Sequence, residues 1–171
     1  MTPGWWLGAV IVLATPAAGE ALAALPVVAA PAPSLAAWHG EWTGEGMAFG
    51  KPATATLAIG PAPEGDATTL AYRLSIEGTP PVTYSAEAIY RVGDKGRVSG
   101  SWTDSYGRSR PIGGRVGVRE WNNNWGSADV EIGRSTYRLE DPDLLVVSDS
   151  VLQEDGSWRV FSMLRYRRNK R

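Results

Sequence analysis

Cysteine is absent from this chain, and histidine occurs once, at position 39. The first absence removes disulfides, thiolate metal sites, a thiol nucleophile and cysteine-based lipid anchoring. It leaves the redox compartment open, because oxidising compartments permit disulfides without requiring them. The second removes multi-histidine metal centres and bis-histidine haem. A Ser/His/Asp triad would have to use His39, and no Gly-x-Ser-x-Gly elbow accompanies it. An excess of charge is also missing: 17 Lys plus Arg stand against 18 Asp plus Glu. No overall field points to nucleic acid or to an anionic membrane. Phosphate-cradling loops and EF-hands are lacking. The residues therefore call for no cofactor and no metal. Finally, no segment from Trp38 onward has a helical period.

The first 33 residues carry one charged side chain, Glu20. Trp5 to Ala14 is an apolar run suited to a signal-peptide core and too short to span a bilayer. Ala21-Leu22-Ala23 fits the A-x-A cleavage pattern, and Ala17-Ala18-Gly19 is a second candidate. The amino-terminal end has no Lys or Arg, which departs from the usual signal. An uncleaved anchor helix is the alternative, opposed by Pro16, Pro26, Pro31 and Pro33. The expected organisation is a signal peptide over 1–23, a flexible Ala/Pro-rich lead-in over 24–37, one domain over 38–168 and a basic tail over 169–171. After cleavage no stable membrane span remains, and the expected location is periplasmic or secreted.

What the chain does have is tryptophan, eight in 171 residues. Six lie at 38, 42, 102, 121, 125 and 158, where they serve as barrel core and rim or as a ligand-lining cage. The block Trp38-His39-Gly40-Glu41-Trp42-Thr43-Gly44-Glu45-Gly46, read with a period of two, places Trp and Gly on one face and polar residues on the other. Further alternating runs follow at 53–59, 69–77, 82–92, 97–103, 110–119, 125–132, 135–140, 144–152 and 157–167. Gly, Pro, Asp and Asn clusters separate them. Asn122-Asn123-Asn124 reads as a turn, and Ile112, Gly114, Val116 and Val118 as one strand face. Ten short strands with tight turns imply an all-β, antiparallel, up-and-down barrel, because closure removes the two edges of a flat sheet. At ten strands a cavity is expected on geometry alone.

Here the residues resemble a family. Gly40-Glu41-Trp42 matches the Gly-x-Trp opener of lipocalins. Its extension through Gly44 and Gly46 resembles the opener of nitrobindin-type haem-binding barrels. Trp102-Thr103-Asp104-Ser105-Tyr106-Gly107, Asp155-Gly156-Ser157-Trp158 and Tyr166-Arg167 resemble an uncharacterised bacterial family of lipocalin-like barrels. The lipocalin resemblance implies a structural role for Gly40, Trp42 and Gly44. It also implies that Trp42 closes one barrel end, with Arg165 or Arg167 stacked on it. The nitrobindin resemblance implies a late haem-ligating histidine, and this sequence has none after His39.

Several residues could carry chemistry. Asp104 and Ser105 either form a turn or orient a polar ligand head at a barrel mouth. Asp149 lies between Val147 and Val151. Facing inward it would need a partner, such as Arg115, Arg138 or Arg165; a one-residue register shift would place it outside. His39 falls on the polar, solvated face of its strand. Asp129 and Glu131 share a face with Trp125 and Ser127 and point to solvent. The carboxyl-terminal arginines and lysine form a solvated tail or a contact for an acidic partner or lipid headgroup.

Three functional readings follow. The first is an exported barrel that binds a small hydrophobic or amphipathic ligand, lined by Leu57, Tyr72, Leu74, Tyr84, Trp102, Val116 and Phe161 with Asp104 at the mouth. The second is a filled barrel that serves as an envelope protein–protein interaction module. The third is a carboxylate-dependent enzyme using Asp104 and Asp149.

Overall fold

A computed structural model describes residues 32–170, apart from 64, 128 and 130. The expected signal peptide lies outside the described residues. A 3-10 turn, Ala36–Trp38, leads into ten strands: β1 (Gly40–Ala48), β2 (Lys51–Pro61), β3 (Thr68–Ile76), β4 (Val82–Val92), β5 (Arg97–Asp104), β6 (Ser109–Val116), β7 (Glu120–Gly126), β8 (Ile132–Asp141), β9 (Leu144–Leu152) and β10 (Trp158–Arg168). Each strand pairs with its sequence neighbours, and β1 pairs with β10, so the sheet closes as an antiparallel up-and-down barrel. This architecture is compatible with a lipocalin-like fold.

The period-two pattern sets the polarity of the wall. Ala53, Ala55, Leu57 and Ile59 of β2 are buried, and Thr54, Thr56 and Ala58 between them are exposed. The outer face is largely Glu, Thr, Ser and Arg. This is the inverse of a membrane barrel, whose outside is apolar. The apolar interior is the hydrophobic core.

One end of the barrel is sealed. Trp38, Trp42 and Trp121 are wholly buried there, with Leu35 beneath them at 2% exposure. The fold therefore starts before Trp38. Leu35 belongs to the core, and Trp38 sits in the 3-10 turn rather than in the first strand. The Trp121 ring stacks on Tyr137 with centroids 4.4 Å apart and meets Tyr90 edge-on at 4.7 Å. Contacts of this kind are worth about 0.5–1.5 kcal/mol beyond the area they bury.

Arg168, not Arg165 or Arg167, stacks on Trp42, with its guanidinium carbon 4.0 Å from the ring centroid. The reason is parity. Leu164 and Tyr166 point inward, so Arg165 and Arg167 point out, and Arg168 returns to the inner face at the strand end. It donates to the carbonyls of Ala37, His39 and Pro142. The guanidinium occupies the place a Cβ of Gly40 would take, and Gly40 has a φ of +144°. At Gly44 the Tyr166 ring occupies the Cβ position. Both glycines are thus places where another residue's side chain crosses the backbone closely.

Two further expectations fail. Asn122, Asn123 and Asn124 form the middle of β7, and the turn before it falls at Gly117–Arg119 instead. Asn123 is tied inside by its carbonyl, which accepts from Trp121 Nε1 at 2.7 Å, so tertiary contact overrides the turn preference of Asn. Val118 lies in that turn and is 89% exposed rather than on an inner strand face.

Candidate functional site

The unsealed end encloses a cavity of about 330 Å³. At about 30 Å³ per water this is room for roughly ten molecules. The filled-barrel alternative expects no cavity of this size. Larger grooves run along the outside, but their walls are the outward-facing residues of neighbouring strands, such as Thr54, Ser75 and Thr136. The enclosed cavity is the better candidate because its walls converge.

Leu57, Tyr72, Leu74, Tyr84, Trp102, Asp104 and Phe161 border this cavity. Val116 does not. It is 2% exposed and belongs to the packed core outside the cavity walls. The position of Phe161 depends on an irregularity in the β9–β10 register between Val160 and Ser162. Such a bulge resets the alternation, so that both Phe161 and Ser162 border the cavity. Phe161 also stacks on Phe49 at 4.9 Å. On the opposite wall, Trp102 Nε1 donates to the Tyr84 hydroxyl at 3.0 Å.

The mouth is formed by the β5–β6 turn. Asp104 is 7% exposed. Its Oδ1 accepts from the backbone of Tyr106 at 2.9 Å and of Arg108 at 3.0 Å, and its Oδ2 faces Arg110 Nη1 at 3.5 Å. Both oxygens are thus engaged in holding the turn, the role Asp plays in turns generally. Arg110 also reaches Glu131 at 4.0 Å and lies over the Trp125 ring at 5.4 Å. Glu131 therefore borders the mouth, and Asp129 sits in the β7–β8 turn instead of on a strand.

Asp149 faces inward. None of the three arginines proposed from the sequence is its partner: Arg115 bonds the Lys95 carbonyl, and Arg138 and Arg165 share Glu140 on the outer wall. The partner is Ser135, whose hydroxyl donates to Asp149 Oδ1 at 2.6 Å and accepts from Trp125 Nε1 at 3.1 Å. The Ser162 hydroxyl stands beside the carboxyl and favours its charged form, although outside hydrogen-bond geometry. Burial outweighs both and holds the Asp149 carboxyl above the usual carboxylate range. Burial likewise pushes up the phenols of Tyr72, Tyr84, Tyr90, Tyr137 and Tyr166, and the charge of Asp149 adds to each.

No family model matches the chain, and no curated protein matches it in sequence. The site must therefore be read from its own geometry.

His39 is half-buried at the sealed end, where Nε2 lies 3.3 Å from Thr68 Oγ1. Ser105 is at the mouth, at the opposite end of the barrel, so the two cannot form a triad. Burial lowers the His39 pKa. Among the described residues no group of three His, Asp or Glu side chains is placed to hold a metal ion. Sequence reasoning missed Asn123, Ser135 and Ser162. The available signal was a polar residue at the inward parity of a strand, as in Trp121-Asn122-Asn123-Asn124-Trp125.

Proposed function

We propose that the protein binds a small, largely apolar ligand inside the barrel. The observation that carries the reading is the enclosed cavity of about 330 Å³ with aromatic walls, a sealed floor and one mouth. That volume is at the lower end of the range for small-molecule sites, about 300–1,000 Å³. Tyr72, Tyr84 and Trp102 supply apolar wall, with centroids about 6 Å apart, and Asp149, Ser162 and Asn123 supply the few polar anchors. The apolar run and A-x-A pattern of residues 5–23 support export, which would make this an extracytoplasmic carrier or sequestering protein.

Tryptophan fluorescence, titrated with apolar compounds of graded size, tests the reading. Saturable binding is expected for ring-sized compounds, with affinity falling once the ligand outgrows the cavity. A flat response to every compound overturns it. A second reading draws on Met47, Phe49, Val160 and Met163, which are 48–61% exposed near the mouth. An apolar rim of this kind suits docking on a partner. Charged substitutions at Met47 and Met163, neither of which borders the cavity, would abolish such docking and leave ligand binding intact.

A further inference from the structure

The inward polar residues are not scattered. Asn123 of β7 is in register with Ser135 of β8, Ser135 with Asp149 of β9, and Asp149 with Ser162 of β10. Four adjacent strands thus each place one polar side chain at the same level of an otherwise apolar wall. Hydrogen bonds along this belt run one way. Trp125 donates to Ser135, and Ser135 donates to Asp149. The chain of donors ends on the Asp149 carboxyl. No Lys, Arg or His among the described residues pairs with it. The cations of the mouth are committed elsewhere: Arg110 to Asp104 and Glu131, and Arg108 over the Tyr106 ring at 5.6 Å.

We propose that the ligand is a small organic cation, an apolar or aromatic body bearing a primary ammonium group that seats on Asp149. This rests on the reading that the cavity binds a ligand at all. A buried carboxylate without a counter-charge is costly. A neutral ligand leaves that cost in place, and an organic anion increases it. A cation removes it. The surrounding rings add to the preference, because the faces of Tyr and Trp attract cations, most strongly where water is excluded. A primary ammonium fits better than a quaternary one. It has three N–H donors, and the belt offers acceptors for them in the Asp149 carboxylate and the Ser162 hydroxyl, which has no hydrogen-bond partner among the described residues. Asn123 Nδ2 is a buried donor, also without a partner among the described residues, and would meet an acceptor atom on the ligand body.

Three near-isosteric probes decide the matter: 2-phenylethylamine, 2-phenylethanol and 3-phenylpropionate. Each is titrated into the wild-type protein by calorimetry. The amine is expected to bind at least tenfold more tightly than the alcohol, and the acid most weakly. In Asp149→Asn the advantage of the amine over the alcohol is expected to vanish, the two binding with equal affinity. Equal affinity for amine and alcohol in the wild type overturns the proposal while leaving cavity binding intact. Tighter binding of the acid, or undiminished binding of the amine to a folded Asp149→Asn, overturns it equally. Failure of all three probes to bind overturns both readings. The wild-type comparison requires no variant, so it stands even where Asp149→Asn does not fold.

Discussion

Replacing Arg168 with alanine tests how the floor of the barrel is held. Its guanidinium lies 4.0 Å from the Trp42 ring centroid, donates to the carbonyls of Ala37, His39 and Pro142, and reaches Asp143 at 3.3 Å. The side chain is 25% exposed, so the cation–π contact is partly desolvated and contributes about 1 kcal/mol. Charge-assisted bonds to carbonyls are worth about 1.5–3 kcal/mol when buried, and these lie at the rim, toward the lower end. They share one donor group, so their contributions do not add fully. Asp143 is 68% exposed, and that ion pair contributes little. The expected loss is about 3 kcal/mol, or about 6–12 °C in Tm for a chain of this size. Arg168→Lys is expected to recover less than half, because a single ammonium cannot span three carbonyls as a planar fork does. Arg165→Ala is the control. Its ion pair with Glu140 stands on the outer wall, 62% exposed on the arginine side, and should cost less than about 1 kcal/mol. Urea unfolding of the three variants measures all of this. An Arg168→Ala loss below about 1 kcal/mol, or an equal loss for Arg165→Ala, would refute the assignment of Arg168 as the stacking partner of Trp42.

Three other outcomes are expected. The raised pKa of Asp149 means that, between the ordinary carboxylate value and the raised one, the folded chain holds a proton the unfolded chain has released; its stability contribution is therefore lost as pH rises through that window. Asp149→Asn should gain stability relative to wild type as pH rises above the ordinary carboxylate value in urea titrations, and a constant difference would contradict the burial of this carboxyl. Gly44→Ala places a methyl where the Tyr166 ring lies and should cost about 1–3 kcal/mol, whereas Gly60→Ala meets open space and should be nearly neutral; equal Tm values for the two would contradict the close packing of β1 on Tyr166. Trp102 and Trp125 border the cavity while Trp38, Trp42 and Trp121 are sealed in the core, so Trp102→Phe together with Trp125→Phe should remove most of any ligand-induced fluorescence change, and its persistence would place the ligand elsewhere.

The strands of the first half were legible because their patterns are regular. Leu70, Tyr72, Leu74 and Ile76 alternate without interruption, and so do the residues of β2. From β6 to β8 the local signal misled. Three consecutive Asn residues carry strong turn chemistry, yet Asn123 satisfies its carbonyl on the indole of Trp121, a contact visible only once β7 faces the barrel interior. Arg168 was hidden among the terminal basic residues, since its role depends on the inward parity of Tyr166 and on Gly40 leaving space for the guanidinium. Asp149 was recognised as a residue that would need a partner if inward. That the partner is a serine, with no arginine near, follows from strand register, which composition does not encode. The polar belt was illegible for the same reason: its four members are spread over 40 positions and meet only through the pairing of β7 to β10.

Packing and polarity divide the barrel interior into a filled floor and a polar belt. At the floor, indoles, phenols and aliphatic side chains fill space, and the cation over Trp42 is paired with backbone carbonyls. At the belt, space is left open and polar groups stand without full satisfaction. Three of the four buried side-chain atoms lacking a protein partner among the described residues belong to Arg110, Asn123 and Ser162, which all border the cavity. Each such group costs about 1–3 kcal/mol when it has no partner at all, and apolar side chains of similar volume would avoid that cost. Local rules broken together at one place are the pattern expected of a site shaped for a purpose other than folding. The direction of the Trp125–Ser135–Asp149 bonds sharpens this: the relay ends on one carboxyl, and among the described residues no Lys, Arg or His pairs with it.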